Sequence, residues 1–488
     1  MTAISVRLFF SRLLAIFGAV AFLAAVGCGD DDSGDTPDQD AAESDAAVDA
    51  GDPDAATDAA ESDASVDAGD PDAATTIPST LGGVASDDNS LASHPQTGPV
   101  TTGDIWVDPN AGTNGSGTEG SPYDNLEDAL SAVSDGERII VRAGTIGLSG
   151  TIIRSTSWAT GIEVFNYGTD RPVIDASGLG SSSHALYFTG GANEHWKGFE
   201  FINGPDRGIN IEASNTTIED CWVHGFQGDG IYIADFGSGA SDNVIQDCAV
   251  WNLGDGVSTD TNVPDCYVAT GNTGSPTQNN TFARCFAANC PDDGFDAFRG
   301  RGTRFYDCVA YDSGTYANGN PAGDGNGFKM GGGDNDSGDN YAIGCLSINN
   351  AFSGFTHNEA ANTSGTDPNI VYAFCTADGN GSGGINTGGD QADHLNVRRD
   401  CIITNNGSVG YVGANAVALR DITSGVTYFD SAGGDYSLDT GSNGIGDGIE
   451  GGIENSVATQ PTTGTATNAG ASVTALEIAL EWLAKDLT

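Results

Sequence analysis

Asp292-Asp293-Gly294-Phe295-Asp296 opens the stretch that decides the architecture, and Gly325-Asn326-Gly327-Phe328-Lys329-Met330-Gly331-Gly332-Gly333 closes it. Both pieces follow one pattern: an Asp-Gly or Asn-Gly turn, a Phe, one polar residue, then an apolar one. Alternation of this kind marks a short strand with one buried face. Phe295 and Phe328 are then inward, and Asp296 and Lys329 outward. If the two pieces are successive rungs of a stack, a cluster of carboxylates and a lone amine become neighbours.

The same slot recurs at Arg207-Gly-Ile-Asn-Ile, Asp229-Gly-Ile-Tyr-Ile and Ser353-Gly-Phe-Thr-His. Between these slots lies a second repeat. WKGFEFIN (196–203), TIEDCWVHG (217–225), VIQDCAVWN (244–252), TFARCFAAN (281–289), RFYDCVAYD (304–312), AIGCLSINN (342–350), YAFCTADGN (372–380) and RRDCIITNN (398–406) align. Cys221, Cys248, Cys285, Cys308, Cys345, Cys375 and Cys401 share one position, which Phe199 fills in the first segment. Four residues on come Asn203, Asn252, Asn289, Asp312, Asn349 and Asn405, with Gly225 and Gly379 as exceptions. The spacing between cysteines varies from 23 to 37 residues. Regular short strands joined by irregular loops are the coils of a solenoid. Without a helical period, the solenoid is an all-β parallel β-helix. Two strands per coil are expected, with the cysteines as small apolar fillers of one inward file and the Asn column as an amide ladder. Cys266 and Cys290 lie off that file and are the expected disulfide pair in an exported protein.

Working outward, Glu137–Val141 and Asp104–Asp108 read as entry strands. A short helix over Leu126–Val133 lies between them, with Asp124 as N-cap. The coils are expected to end near residue 414, and Asp435-Tyr-Ser-Leu438 reads as a final strand pair. The β-helix domain is thus assigned to 101–455. Residues 456–488 form a linker and an amphipathic helix, with Leu476, Leu480, Leu483 and Leu487 on one face, expected to cap the C-terminal end.

Residues 1–28 are a targeting segment. Arg7 and Arg12 precede an apolar run of 14 residues, Leu13–Val26, too short for a relaxed membrane span. Small residues then run into Cys28, as in a lipoprotein cleavage box, which implies a lipid on Cys28; the alternative is an ordinary secretory peptide cleaved nearby, and the acidic segment that follows, suited to a tether, favours the lipoprotein. Residues 29–100 are an acidic spacer containing a direct repeat: Asp40–Thr57 recurs as Asp58–Thr75 with one change, Ser65 for Ala47. With no aromatics and no apolar period, it builds no core and extends by self-repulsion. The expected location is outside the cell or at its surface, anchored to the outer membrane only through the lipid.

The chain of 488 residues carries a net charge of −51. Residues 30–75 hold 17 of its 68 acids, so residues 76–488 still set 51 acids against 15 bases. No basic stripe exists to meet phosphates, which excludes nucleic acid as a partner. An acidic protein acting on an acidic polymer needs a bridging cation.

Aligned on the inward aromatic, the outward file reads Tyr232, Val268, Asp296, Lys329, Thr356, and Asp265 shares the slot of Asp293. Asp265, Asp292, Asp293 and Asp296 then converge across two rungs. Carboxylates so crowded repel one another unless a cation joins them. An all-oxygen set with no nearby His favours Ca²⁺ over Zn²⁺. A free lysine, with a pKa of about 10.4, is too basic to take a proton at neutral pH. A cation beside it and partial desolvation lower that value. A metal and a base so placed suit proton abstraction beside a carboxylate, as in β-elimination at C5 of a polyuronate.

Asp265-Cys-Tyr-Val-Ala, Asn289-Cys-Pro-Asp292-Asp293-Gly-Phe-Asp296 and Gly325-Asn-Gly-Phe-Lys329-Met-Gly-Gly together resemble the family 9 polysaccharide lyases. Those are calcium-dependent pectate lyases on a right-handed parallel β-helix. The resemblance implies that Lys329 is the catalytic base and that Asp265, Asp292, Asp293 and Asp296 hold Ca²⁺. It covers roughly 196–358; the residue after Asp265 is Cys266 where the family has Gly. The expected substrate is an acidic polysaccharide, pectate or polygalacturonate, handled by a monomer. Arg299 and Arg301 follow the metal strand and are candidates to pair with uronate carboxylates. As turn arginines they would instead offset local acids. Tyr232, Tyr267 and Tyr316 are candidates to stack on sugar rings. His224 and His357 are read as structural. Two rival readings remain: a lyase for another uronate polymer such as alginate or a glycosaminoglycan, and a non-catalytic carbohydrate-binding β-helix. Lys329 separates them, because a binder has no need of an amine beside the metal.

Overall fold

Each cysteine-bearing segment bends at its centre. A computed structural model describes residues 101–438 apart from short internal stretches, the longest being 256–262, 359–369, 388–395 and 411–416. In it, every such segment is a pair of strands rather than one. Thr217–Glu219 is followed by Trp222–His224, Val244–Gln246 by Ala249–Trp251, and Arg304–Tyr306 by Val309–Tyr311. The bend is a single left-handed residue just before the cysteine: Asp220 at φ 49°, Asp247 at 56° and Asp307 at 55°. Asp tolerates this region through its short polar side chain. Arg284 at 52° and Phe374 at 55° adopt it without that help. A coil therefore has three strands, not the expected two. Inward residues stand three apart across the bend and two apart after it, as in Ile218, Cys221 and Val223, so the two-residue alternation slips by one there.

A second left-handed corner explains the Asn column. Asn203, Asn252, Asn289, Asp312, Asn349 and Asn405 all have φ between 50° and 60°, and Gly225 and Gly379 stand at 69° and 71°. The position selects for positive φ, and Gly meets that demand as well as Asn does. One amide contact does form there, Asn289 Nδ2 to Asn252 Oδ1 at 2.9 Å. The longer ladder runs one residue further on: Asn350 Nδ2 donates to Asn380 Oδ1 at 2.9 Å, and Asn380 Nδ2 to Asn406 Oδ1 at 2.7 Å.

The second strand of each pair builds a ten-stranded sheet. The first strand of each pair and the Gly-aromatic strands join a nineteen-stranded sheet. Among the described residues the named strands pair in parallel, except Tyr428–Asp430 with Asp435–Leu438, which is antiparallel; Asp435–Leu438 is one strand of that pair, not both. The coils continue to Val417–Leu419, which pairs with Val397–Arg399, slightly beyond the expected end. At the other end, Leu126–Ala132 is helical and packs on the entry strands Ile105–Val107 and Arg138–Val141. Its N-cap is Asn125, not Asp124; the Asn125 side chain accepts from the Asp128 N–H at 2.8 Å. The fold is an all-β parallel β-helix. Among the described residues no helix is long and apolar enough to cross a membrane. The targeting segment with Cys28, the spacer and the C-terminal helix lie outside the described residues.

The seven file cysteines are buried thiols, and Cys266 and Cys290 form the expected disulfide. Beside them runs an aromatic column. Tyr267, Phe295, Phe328 and Phe355 stack with centroids 4.7 Å apart and rings within 8° of parallel. That spacing is the strand repeat itself. Each ring buries a large apolar area, and a one-residue slip would turn all of them outward. The column thus locks the register of what lies next to it.

Candidate functional site

The site is built on three two- to five-residue strands in successive coils, Tyr267–Gly271, Phe295–Asp296 and Phe328–Lys329. Tyr267 pairs with Phe295 and Val268 with Asp296; Phe295 pairs with Phe328 and Asp296 with Lys329. Tyr232 pairs with Val268 and Thr356 with Lys329. The outward file is therefore Tyr232, Val268, Asp296, Lys329, Thr356, as the alignment on the inward aromatic requires.

Lys329 Nζ lies 3.3 Å from Asp296 Oδ2 and 3.6 Å from Asp293 Oδ2. One carboxylate oxygen from each of Asp265, Asp293 and Asp296 falls within 4.8 Å of the other two. Oxygens sharing one Ca²⁺ at 2.3–2.6 Å can be no more than about 5 Å apart, so the set fits such an ion. Charge points the same way. Three buried carboxylates face one ammonium, leaving two negative charges for a divalent ion to cancel. Burial pushes the Asp265 carboxyl up, and the charges of Asp292, Asp296, Asp293 and Asp229 push it further. Burial and the Asp292 charge do the same to Asp293, against the pull of Lys329. Asp293 Oδ2 is buried without a hydrogen-bond partner, the condition of an oxygen shaped for a cation.

Asp292 sits at the rim of this group. Its charge is felt by Asp265 and Asp293, but its Oδ1 accepts from the Asp324 N–H at 2.6 Å. Arg299 is buried, with its guanidinium 4.9 Å over the Phe298 ring, and Lys329 Nζ stands 5.4 Å from the same ring. Phe298 links them, and its own N–H donates to Asp296 Oδ1 at 2.7 Å. Arg301 lies on the strand Gly300–Arg301 and reaches Ser337 O at 3.5 Å. Tyr267 is in the core, not open to a sugar ring. His224 contacts Glu200 at 3.0 Å and stacks on Trp251, and His357 is buried.

Sequence reasoning passed over Asn326 and Phe298. Asn326 donates to Asp293 Oδ1 through both its backbone N–H at 2.7 Å and its Nδ2 at 3.0 Å. The signal was present: Asn326 occupies the slot of Asp293, so its amide must meet that carboxylate. Phe298 lies in the turn that follows the strand Phe295–Asp296, where its N–H meets the Asp296 side chain.

A family profile described as "Pel9A-like, right handed beta helix region" matches residues 105–374. The chain belongs to this family. The Pectate lyase L of Paenibacillus polymyxa (strain SC2) is 28% identical over 302 residues, covering 57% of this chain and 64% of that protein. The Pectate lyase L of Dickeya chrysanthemi is 27% identical over 283 residues, covering 52% of this chain and 62% of that protein. The chain thus spans a little under two thirds of the length of these two relatives. Among solved structures, that of pectate lyase Pel9A aligns with a TM-score of 0.61 at 21% identity, covering 76% of this chain and 96% of that one. That likeness speaks for the family's right-handed β-helix.

Proposed function

We propose that the protein is a calcium-dependent pectate lyase that cleaves polygalacturonate by β-elimination, with Lys329 as base. The observation that carries this reading is the pairing of Asp296 with Lys329 on the outward file, which sets an amine 3.3 Å from a carboxylate of the acid cluster. The names of the family relatives support the substrate class.

Asp265, Asp293 and Asp296 would hold the ion, with Asp292 at its rim. When bound, Ca²⁺ would neutralise the uronate carboxylate, stabilise the charge that develops beside it, and relieve Asp293 and Asp296 of their need for the lysine proton. Lys329 Nζ, as the neutral amine, takes the C5 proton. The C5–H electron pair becomes the C4=C5 double bond, and the C4–O bond breaks with its pair on the leaving oxygen. That oxygen takes a proton from water. Phe298 shields one side of the amine and keeps its stem in place. Arg299, whose guanidinium lies over the same ring, would meet a second uronate carboxylate.

The test is direct. Purified protein is mixed with polygalacturonate, with Ca²⁺ or with chelator, and the ultraviolet absorbance of unsaturated product is followed. A calcium-dependent rise that disappears in Lys329→Ala is expected. Absence of product from polygalacturonate together with product from alginate would move the assignment to another uronate. No product from any uronate would leave a binding scaffold.

A further inference from the structure

The turn slot of Asp265 and Asp293 is filled in six successive coils by Arg207, Asp229, Asp265, Asp293, Asn326 and Ser353. Each stands two residues before the paired inward residues Ile209, Ile231, Tyr267, Phe295, Phe328 and Phe355. A ladder of side-chain to backbone bonds runs along this slot. Asp229 Oδ1 accepts from Asp265 N–H at 3.1 Å. Asp265 Oδ1 accepts from Asp293 N–H at 2.7 Å, and Asp293 Oδ1 from Asn326 N–H at 2.7 Å. Asn326 Oδ1 accepts from Ser353 N–H at 3.2 Å. The ladder thus occupies Oδ1 of both Asp265 and Asp293.

Asp229 differs from its two successors. Its second oxygen is also taken, by Arg207 Nε at 2.8 Å. The Arg207 guanidinium is itself fixed, 3.6 Å over the Tyr232 ring. Tyr232 belongs to the outward file that leads to Asp296 and Lys329. The column of slot acids therefore extends one coil beyond the metal group and is closed there by a guanidinium.

We propose that Arg207 and Asp229 form a positioning unit for the metal site. Arg207 withholds Asp229 from the cation. Asp229, so held, anchors the first rung of the ladder that orients Asp265 and, through it, Asp293. Neither residue touches the reacting atoms. The inference rests on the calcium reading above and deepens it.

Two charge-matched double variants isolate the hydrogen bond from the charge. R207M/D229N keeps an acceptor for the Asp265 N–H, while R207M/D229L keeps the volume and removes the acceptor. Ca²⁺ binding to the purified full chain is measured by titration calorimetry, with thermal unfolding in chelator alongside. Affinity within about twofold of the parent is expected for the first, and about tenfold weaker for the second, the size of one lost hydrogen bond. A purely structural role would lower the unfolding midpoint of the leucine variant while leaving its calcium affinity equal to that of the asparagine variant. Equal affinities overturn the proposal. If the leucine variant does not fold, R207M/D229A is read in its place against the same criterion. A parent that binds no Ca²⁺ overturns the calcium reading itself, an outcome distinct from a parent that binds while the two variants agree.

Discussion

Replacing Lys329 with Met removes one amine and keeps an unbranched apolar stem in a site only 2% exposed. Two consequences of opposite sign follow. The base is lost, and general-base catalysis is worth about 10²–10⁴ in rate, or about 3–5 kcal/mol of barrier. A repulsive charge is lost as well. Nζ stands 3.3 and 3.6 Å from the oxygens of Asp296 and Asp293, where the cation would sit. Unit charges about 4 Å apart interact by about 4 kcal/mol at an effective dielectric of about 20. Screening and the exchange of partners leave a fraction of this, so calcium binding is expected to tighten by about tenfold. Lys329→Arg separates the two effects. It keeps the charge, but a guanidinium with a pKa above about 12 takes no proton at working pH. Both variants should therefore lose about 10²–10⁴ in kcat, while only the Met variant binds Ca²⁺ more tightly. Turnover of polygalacturonate and calcium titration calorimetry read the two quantities independently. Activity of Lys329→Arg within tenfold of the parent would refute the assignment of Lys329 as base and leave it a charge.

Phe295 stacks between Tyr267 and Phe328 at 4.7 Å on each side, so Phe295→Ala should cost about 3–5 kcal/mol in denaturant unfolding. It should also weaken calcium binding through Asp296; an effect on stability alone would detach the column from the site. The Cys266–Cys290 bridge spans 24 residues and flanks Asp265 and Asp292. Reducing it should remove about 3 kcal/mol and weaken calcium uptake, and an unchanged thermal midpoint would contradict this. Burial raises the Glu219 carboxyl, but contacts with His195 and Lys197 outweigh it and bring it from 4.5 down to about 2. A depressed folded-state pKa stabilises the fold above the unfolded value, and that stability is lost as pH falls from about 4.5 towards about 2. Glu219→Gln should therefore flatten acid unfolding in that window while changing little below it. Asp265 and Asp293 have the opposite sign, their carboxyls being raised by burial and by Asp292. In chelator, the stability their protonation lends is present in acid and lost as pH rises. Added Ca²⁺ should restore the thermal midpoint at neutral pH more than in acid.

The register of the site was legible because one repeat carries it. The Gly-aromatic slot fixes which residue is inward, and two-residue alternation fixes the next, so Asp296 beside Lys329 follows from the Phe295–Phe328 pairing. The bend before each cysteine was missed, although the inward residues on either side of it, such as Ile218 and Cys221, stand three apart instead of two. Asp220 and Asp247 are signals of a left-handed residue, but Arg284 and Phe374 in the same position are not. The Asn column was seen and given the wrong cause. Its Gly members show that backbone conformation selects it, while the longer amide ladder belongs to Asn350, Asn380 and Asn406. The helix cap slipped by one residue because Asp124 and Asn125 are both good caps, and only the Asp128 contact chooses between them. Asp292, next in sequence to Asp293, lies at the rim because adjacent residues of a strand or turn face different ways.

The file of buried thiols has a use beyond filling space. Cys221, Cys248, Cys285, Cys308, Cys345, Cys375 and Cys401 place one alkylatable sulfur in each of seven consecutive turns of the spiral. Stacked repeats touch only their neighbours, so such a molecule can fray from its ends before its middle opens. Pulse labelling followed by mass spectrometry would time the opening of each turn separately. The protein thereby carries its own row of clocks, and the order in which they start would show whether the turns bearing Asp293 and Lys329 are the last to yield.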